Sequence, residues 1–338
     1  MKTLALNISE EEYRALPALS YSAIARYSRE GYSCIPHLFE PVSSPSLTLG
    51  SVLDCLITEG FDVFNKKYFV SAFNPENKSS KVYLEIYKIF YDNPLPIGQL
   101  IDKYPDEIEI VMNNNDYYKN KVFKSRIKEL LDYSGFYEDI IKANNRTIIS
   151  QDMYEDANKM YQSLFNNPLT HGILFDDKST MKKYWQIKFQ TNLASIDVKC
   201  MFDLLLVNDN NKTIYPVDLK TTSTEPYKFF DSFVHWGYQI QVRLYTQILK
   251  NVIKNTKYEN YKIATYKYVV VNKNFNNPVV FDIPFSIEEG DIEIGGVLFK
   301  DPITIAKELK RELDCYANGY EYPSHIEITK VNNILKAI

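Results

Sequence analysis

A polar turn between two strand-forming runs constrains the fold of this chain most strongly. Residues 198–207 and 213–222 are rich in apolar and β-branched side chains, and the run Asn-Asp-Asn-Asn at 208–211 separates them. Clusters of asparagine and aspartate favour turns because their side chains bond to the nearby backbone. The pattern therefore predicts a hairpin centred between Asn210 and Asn211.

The register of this hairpin places charged residues together. It pairs Val207 with Ile214 and Asp203 with Asp218, so the two carboxylates point to the same side of the sheet. Lys220 shares that side because strand side chains alternate. Opposed like charges destabilise a sheet, which favours a cation between the two carboxylates.

These charged side chains predict a site for a hard divalent cation. Mg²⁺ typically binds one or two carboxylates, several waters and substrate phosphate oxygens. A lysine beside them adds a positive charge suited to a phosphate or to a water losing its proton. A salt-bridged hairpin on the protein surface is the alternative. Val217 and Leu219 indicate burial on the opposite face at least, whereas Pro216 favours an edge or a bulge.

Two motifs around this hairpin resemble a known family. Asp203, followed by Asp218-Leu219-Lys220, resembles the D…(D/E)-x-K signature of PD-(D/E)XK nucleases. The run Gln-Val-Arg-Leu-Tyr at 241–245 is similar to the Q-x-x-x-Y motif of the members that degrade DNA from ends. Those members are RecB-type nuclease domains, lambda-type exonucleases and CRISPR-associated exonucleases. Lys-Thr-Thr at 220–222 and Gly-Tyr-Gln-Ile-Gln at 237–241 make the resemblance more specific than the three-residue signature alone.

The N-terminal part extends the resemblance. Residues 12–29 and 47–60 resemble the N-terminal region of RecE-type phage exonucleases. Asp54 stands where that family usually has histidine, and a carboxylate can serve as an oxygen ligand to Mg²⁺ directly or through water. An acid on a solvated helix face is the alternative for Asp54.

The resemblance implies a metal site and a catalytic lysine. Asp203, Asp218, Asp54 and the main-chain carbonyl of Leu219 would hold Mg²⁺, for which Mn²⁺ can substitute. Lys220 would orient or help to deprotonate the attacking water. Lys220→Ala is therefore expected to abolish cleavage nearly completely. Asp218→Ala is expected to remove metal binding, and it could even stabilise the metal-free fold by relieving the carboxylate pair.

Other matching residues would steady the reacting groups or the DNA. Gln241 and Tyr245 are four residues apart and therefore share a helix face, which in the family lies beside the metal and steadies the lysine or the scissile phosphate. Gln186 lies closest to the upstream glutamate of many relatives but cannot replace its charge, so it receives no role. The candidate DNA contacts, chosen by their place beside family motifs, are Tyr21, Ser22, Arg26, Thr221, Thr222 and Tyr238.

The resemblance also implies a fold and a domain plan. The expected fold is α/β, a PD-(D/E)XK restriction-endonuclease-like core with a mixed central sheet flanked by helices and a helical insertion. A single nuclease domain would span 1–338. Its expected parts are N-terminal helices completing the active site (1–72), a mostly helical insertion (73–180), the catalytic core (181–290), and a C-terminal helix and tail (291–338). The tail from 322 would dock back or contact a neighbouring subunit.

By family resemblance, the protein would hydrolyse DNA phosphodiester bonds from duplex ends. The family implies 5′→3′ polarity, a role in phage-type recombination, a ring-shaped homo-oligomer (trimer or tetramer) and a single-strand annealing protein as partner. Two alternatives remain: an endonuclease or single-strand nuclease on the same core, and a nuclease-fold protein that binds DNA or a partner without cutting. The aspartate at 54 and the missing upstream glutamate motivate the last alternative, whereas the intact set of Asp203, Asp218 and Lys220 argues against it.

Composition limits the classes of protein. Apolar residues make up 45% of the 338, with 27 tyrosines, 19 phenylalanines and only 11 glycines, which excludes a low-complexity or disordered chain. The formal net charge of −4 requires any DNA contact to come from a local patch and metal ions. No run approaches 18 apolar residues and no signal-peptide core is present, so a soluble, cytoplasmic protein without membrane contact is expected, in the host cytoplasm if phage-encoded.

The cysteines predict neither a disulfide framework nor a metal cluster. Cys34, Cys55, Cys200 and Cys315 are scattered and show no C-x-x-C spacing. That pattern is typical of reduced, intracellular thiols. The cysteine cluster of the Fe–S-bearing relatives is missing, so no Fe–S cluster is expected.

Periodicity and capping residues predict the main elements. Ser9 is the expected cap of a first helix, and Ser150 the expected cap of a helix that runs through Leu164. Further helices are expected from Ser20 or Ser22, from Gly50, and over 81–91, 121–131, 227–250 and 303–316. Strands are expected over 184–189, 194–207, 261–272 and 277–284, in addition to the second strand of the hairpin.

Overall fold

The computed structural model describes residues 1–176 and 179–319. Its helices, in chain order, are α1 Glu10–Ala15, α2 Tyr21–Glu30, α3 Pro45–Thr58, α4 Gly60–Lys67, α5 Lys78–Ile89, α6 Ile97–Lys103, α7 Pro105–Asn114, α8 Phe123–Leu131, α9 Ser134–Ala143, α10 Gln151–Asn166, α11 Pro168–Leu174, α12 Phe229–His235, α13 Tyr238–Ile253 and α14 Pro302–Ala317. Short 3-10 helices cover Lys2–Leu4, Gly31–His37, Pro226–Lys228 and Pro284–Ile287. None of these described helices is both long and apolar enough to span a membrane.

The strands, in chain order, are β1 Leu19–Ser20, β2 Tyr68–Ser71, β3 Thr147–Ser150, β4 Lys182–Leu193, β5 Ile196–Asn208, β6 Thr213–Thr221, β7 Lys262–Ile263, β8 Tyr266–Asn272, β9 Phe275–Ile283, β10 Ile292–Ile294 and β11 Val297–Phe299. Seven of them form one mixed sheet with the path β1-β5-β6-β8-β9, in which β4 pairs with β5 and β7 with β6. Strands β6 and β8 run parallel, whereas β4, β5 and β6 form an antiparallel series. The expected α/β class with a mixed central sheet flanked by helices is confirmed.

Contacts within the chain divide it into two compact units. The first comprises Met1–Ser43 and the described residues from Ser163 onward, and the second is Ser44–Gln162. These boundaries lie away from the predicted ones at 72/73 and 180/181. The tail from 322 lies outside the described residues.

The core of the first unit lies between the large sheet and the helices α2, α13 and α14. Its fully buried members come from all of these elements and include Ile24, Phe202, Val242 and Ala306. Helix α13 contacts β4 and β5 as well as the other two helices. Helix α13 therefore packs on the sheet next to β5, the strand that carries Asp203.

The second unit is built mainly from helices α3 to α9. The short strands β2 and β3 pair in parallel, with Tyr68 opposite Thr147. Buried side chains of α5, α7 and α9, including Ile86, Met112 and Phe136, form its main hydrophobic cluster. The unit thus has its own apolar core, as a compact structural unit requires.

The predicted hairpin has the predicted register. Val207 pairs with Ile214 and Leu204 with Val217 in the antiparallel β5–β6 ladder. The Asn208 side chain accepts hydrogen bonds from the backbone N–H groups of Asn210 and Asn211, at 3.0 and 3.2 Å. The asparagine-rich turn therefore determines the register locally, as the sequence indicated.

Capping predictions are confirmed, and one helix boundary is corrected. Ser9 and Glu12 form a reciprocal capping box, and Ser150 accepts a hydrogen bond from the Met153 backbone. The helix expected from Gly50 begins instead at Pro45, because Ser44 caps it through the Leu47 N–H and proline suits the first helical position.

The single helix predicted over 227–250 is wrong. The structure has a 3-10 turn, then α12, then a break, then α13. Gly237 stands at the break with φ +67° and ψ 36°, a left-handed conformation that favours glycine. The apolar periodicity continues across the break, so spacing alone did not reveal it. The strand predicted over 261–272 is similarly divided into β7 and β8.

Candidate active site

The candidate site lies on β6 where its pairing with β5 on one edge ends and its pairing with β8 on the other edge begins. The registered β5–β6 pairs end at Leu204 and Val217, and from Val217 to Thr221 β6 pairs in parallel with β8. Asp203 lies one residue beyond the last pair. Its Oδ2 accepts the Leu219 backbone N–H at 2.9 Å, so a carboxylate rather than a backbone carbonyl accepts this hydrogen bond.

Strand β5 is irregular at the same position. The β4–β5 register passes from Trp185–Leu204 directly to Ile187–Phe202, and Gln186 between them has φ +47°. Phe202 and Leu205 both belong to the same buried core, so the strict alternation of side chains shifts by one residue at Asp203. Such an irregularity re-aims a side chain, here the first of the predicted catalytic carboxylates.

Asp218 is buried and held by two partners. Its side chain is 1% exposed, and its Oδ2 lies 2.6 Å from the Lys220 ammonium, whose side chain is 19% exposed. Gln241 on α13 donates from Nε2 to the other oxygen, Oδ1, at 2.7 Å. The predicted sharing of one strand face by Asp218 and Lys220 is therefore confirmed. The predicted direct pairing of Asp203 with Asp218 is not among the registered pairs, which end at Leu204 and Val217. Each carboxylate instead has a partner of its own.

Burial and ion pairing act in opposite directions on this pair. Burial raises the pKa of the Asp218 carboxyl above its ordinary value, against the Lys220 charge and the Gln241 hydrogen bond, which lower it. Burial lowers the pKa of Lys220, but the charges of Asp218 and Asp203 outweigh that effect and raise it above its ordinary value. Lys220 is therefore a charged ammonium at neutral pH.

Aromatic rings line the other side of the lysine. The Lys220 Nζ lies 4.9 Å from the centre of the Tyr238 ring and 5.5 Å from that of Tyr268. A cation over an aromatic face within about 6 Å is attracted by the ring quadrupole. The ammonium thus has an anionic partner on one side and two rings on another.

Tyr245, the second helical residue of the predicted motif, is placed differently from Gln241. Its ring packs against Phe202, with centroids 5.1 Å apart, and against Tyr266 at 6.5 Å. Burial raises the pKa of its hydroxyl well above the ordinary value, with smaller contributions from the charges of Asp218 and Asp203. Gln241 therefore contacts a site carboxylate directly, while Tyr245 packs in the core beside the site.

Of the other predicted DNA contacts, Thr221 and Thr222 follow the lysine directly in the chain, and the Tyr238 ring lies 4.9 Å from its Nζ. Thr221 and Thr222 are half-buried at the end of β6, and the Thr222 N–H donates to the Val271 carbonyl at 3.0 Å. Tyr238 is the first residue of α13. Their part in binding DNA stays a prediction.

The predicted DNA contacts on α2 make contacts within the chain. Ser22 Oγ lies 2.8 Å from Ser20 Oγ. Arg26 forms an ion pair with Glu30 at 3.0 Å and donates to the His37 carbonyl at 2.7 Å. A DNA phosphate would therefore compete with an existing carboxylate for the Arg26 guanidinium. Tyr21 donates its hydroxyl to the Trp236 carbonyl at 2.8 Å.

A metal ion at this site would have few carboxylates. Among the described residues, no group of three or more His, Cys, Asp or Glu side chains could hold a metal ion. Asp218 Oδ2 is buried and lies 2.6 Å from the Lys220 ammonium, its charged partner. An oxygen of this kind fits a hard cation that takes two carboxylates, a main-chain carbonyl and water. Asp54 is half-buried on α3 of the second unit, and its predicted role stays a prediction.

Sequence reasoning missed Tyr268. Its hydroxyl donates to Gln241 Oε1 at 2.9 Å, and its ring faces Lys220. The strand that contains it was predicted, but its parallel pairing with β6, which puts Tyr268 opposite Asp218, was not. Pairing between strands about 50 residues apart leaves no local signal in a single sequence.

Comparisons with known proteins give little support for any assignment. No family model matches the chain, and no curated protein is similar to it. Among solved structures, the chain is similar to a protein of Eubacterium rectale described as a "putative exonuclease", with 12% sequence identity and a TM-score of 0.47. The alignment covers 98% of this chain and 99% of that one. The likeness runs along the whole chain, but its level is too low to identify a family.

Proposed function

We propose that the protein is a metal-dependent deoxyribonuclease of the PD-(D/E)XK type. The observation that carries the proposal is the buried arrangement around Asp218, in which Lys220 and Gln241 each contact one carboxylate oxygen. Asp203 lies beside it and bonds to the backbone of Leu219. These are the residues of the two sequence motifs, and they come from β5, β6 and α13.

Asp203, Asp218 and the Leu219 carbonyl would hold one or two ions of Mg²⁺, or of Mn²⁺ in its place. The chemistry supplied by the bound ion is polarisation of the phosphoryl oxygens and a lower pKa of water. Asp203 and Asp218 provide the negative charge that a divalent cation needs. Their hydrogen bonds to Leu219 and Gln241 fix the direction of each carboxylate before substrate arrives.

Lys220 would act as a fixed positive charge beside the reacting groups. The charge of Asp218, 2.6 Å away, outweighs burial and raises the pKa of the ammonium above its ordinary value. It can donate hydrogen bonds that orient the attacking water and offset the charge that develops on the phosphate in the transition state. Gln241 would keep Asp218 aligned while this charge develops.

The substrate and biological role extend this proposal through the motif resemblance. The Q-x-x-x-Y run and the N-terminal RecE-like region favour an exonuclease that acts on duplex ends with 5′→3′ polarity, in phage-type recombination. A homo-oligomeric ring and a single-strand annealing partner belong to the same proposal. The net charge of −4 means that DNA contacts come from local groups such as Thr221, Thr222 and Arg26.

The proposal is tested by incubating the protein with linear duplex, covalently closed duplex and single-stranded DNA, with Mg²⁺ or EDTA. The variants are Lys220→Met and, as a matched control, Lys182→Met, which removes an exposed lysine paired with Asp209 on the same sheet. Loss of linear duplex only, dependent on Mg²⁺ and on Lys220 but not on Lys182, is expected.

The other outcomes separate the alternatives. Cutting of the closed circle would replace the exonuclease with an endonuclease on the same site, and preference for single strands would make it a single-strand nuclease. No cleavage of any substrate, with Mn²⁺ also tried, would overturn the enzymatic proposal in favour of a protein that only binds DNA.

A further inference from the structure

A single side chain contacts both partners of the buried Asp218 carboxylate. Gln241 contacts Oδ1 and Lys220 contacts Oδ2. The Tyr268 hydroxyl donates to Gln241 Oε1 at 2.9 Å, and its ring centre lies 5.5 Å from the Lys220 Nζ. We infer that Tyr268 is a positioning residue, whose hydroxyl orients the Gln241 amide and whose ring holds the Lys220 ammonium. The inference rests on the proposed nuclease function of this site.

The carboxylate and the Tyr268 hydroxyl hold the two ends of the Gln241 amide. A glutamine side chain has a donor end and an acceptor end of nearly the same shape. An ionised carboxylate can only accept, so Nε2 faces Asp218 Oδ1, and the amide oxygen at the other end accepts from the Tyr268 O–H. A reversed amide would place Oε1 against the carboxylate and would leave two acceptors facing each other. The Tyr238 carbonyl, at 3.3 Å, is a second and longer acceptor for the same hydroxyl.

The ring of Tyr268 is itself fixed by other aromatic side chains. Phe229 on α12 lies against both tyrosines of the lysine environment, with centroids 5.6 Å from Tyr238 and 5.6 Å from Tyr268. Phe233, one turn further on, packs edge-on against Tyr268 at 6.1 Å. The ring therefore has little freedom to move away from Lys220, and the ammonium is held between Asp218 and this aromatic group.

The parallel pairing of β6 and β8 explains why this residue can contact both partners. Tyr268 pairs directly with Asp218, so it lies at the same level of the sheet, and its side chain is fully buried. A residue with no exposed surface acts through Gln241 and Lys220 rather than on the DNA. The next three residues of the strand are valines. A valine at position 268 would fill the core but would lack the hydroxyl that bonds to the Gln241 amide.

The test uses steady-state hydrolysis of linear duplex DNA in Mg²⁺ by the full-length protein. Tyr268→Phe keeps the ring and removes the hydroxyl, and it is expected to lower kcat by about 10- to 100-fold, as loss of a supporting hydrogen bond typically does. The KM for DNA should stay unchanged. In a Gln241→Met background the same change should have no further effect, because the hydroxyl acts through Gln241.

Comparing Tyr268→Leu with Tyr268→Phe separates the effect of the ring from that of the hydroxyl. It removes both, so it should lower kcat further than Tyr268→Phe and should still lower it in the Gln241→Met background. Tyr83→Phe is the matched control. It removes a buried tyrosine hydroxyl that donates to the Leu130 carbonyl in the second unit, and it should leave kcat unchanged. Rates are divided by the folded fraction from far-UV circular dichroism, which reports on the helices of both units and so removes the effect of unfolding.

Three results would overturn the inference. They are a wild-type kcat in Tyr268→Phe, an equal loss from this substitution in both backgrounds, and a wild-type kcat in Gln241→Met. The last measurement applies even if Tyr268→Phe does not fold. If Lys220→Met also retains full activity, the proposed function fails. If Lys220→Met is inactive while Tyr268→Phe is fully active, only the role of Tyr268 fails.

Discussion

The ion pair between Asp218 and Lys220 should stabilise the first unit in the absence of metal and DNA. The two side chains are 1% and 19% exposed and their charged atoms lie 2.6 Å apart. Removing one member of a buried pair leaves an uncompensated charge, which costs about 3–5 kcal/mol when burial is complete. Because Lys220 is partly exposed, Asp218→Asn and Lys220→Met should each lower the free energy of unfolding by about 3 kcal/mol, the lower end of that range.

The double substitution distinguishes pairing from simple loss of contacts. It removes both charges of the pair, so its cost should fall below the sum of the single costs, with a coupling energy of about 2 kcal/mol. This reverses the expectation from the sequence that removing Asp218 could stabilise the fold. That expectation considered only the opposed carboxylates and did not include the lysine left behind.

Urea denaturation in EDTA, followed by tryptophan fluorescence, measures this coupling. Both tryptophans, Trp185 and Trp236, belong to the first unit, so their emission reports on its unfolding. The same cycle at the exposed pair of Lys182 and Asp209 is the control, where solvent screens the charges and a much smaller coupling is expected. Costs at Asp218 and Lys220 that simply add, or a coupling no larger than in the control, would refute the reasoning.

Two further substitutions test how the elements around the site are held. Gly237→Ala should destabilise the first unit by about 1–2 kcal/mol in urea, because its φ of +67° penalises any Cβ. The added Cβ would meet Ile240 at 3.4 Å, an ordinary contact distance, so the cost comes from the backbone conformation. Asparagine adopts the left-handed conformation more readily than alanine, so Gly237→Asn should cost less, and equal costs would contradict this account. Arg243→Met should lower the free energy of unfolding by about 3 kcal/mol or more and speed proteolysis of the segment around β10–β11. The buried guanidinium donates to the carbonyls of Phe299 and Lys300, and unchanged proteolysis would argue against this anchoring role.

The parts of the site that follow from local sequence were predictable. The asparagine-rich turn fixes the register of β5 and β6, and alternation along β6 then places Asp218 and Lys220 on one face. Both inferences depend on neighbours within a few residues or across a short hairpin. The place of Gln241 beside Asp218 was expected only from the resemblance of its helix to the Q-x-x-x-Y motif.

The parts that depend on distant pairing were not predictable. The break at Gly237 lies within uninterrupted apolar periodicity, and the irregularity at Gln186 depends on how β4 meets β5. Tyr268 gains its place only because β8 pairs in parallel with β6.

The most direct test of the central claim is the rate at which Asp203→Asn hydrolyses linear duplex DNA in Mg²⁺. Asparagine keeps an oxygen that can accept the Leu219 N–H, so the fold is retained while the charge is lost. Asp197→Asn is the control, an exposed aspartate on the same strand that accepts a hydrogen bond from Asn192. If Asp203 and Asp218 hold the catalytic metal, Asp203→Asn should be slower by about 10²–10³-fold, as when a preorganised electrostatic group is removed, while Asp197→Asn matches the wild type. Wild-type hydrolysis by folded Asp203→Asn would contradict the assignment of this site.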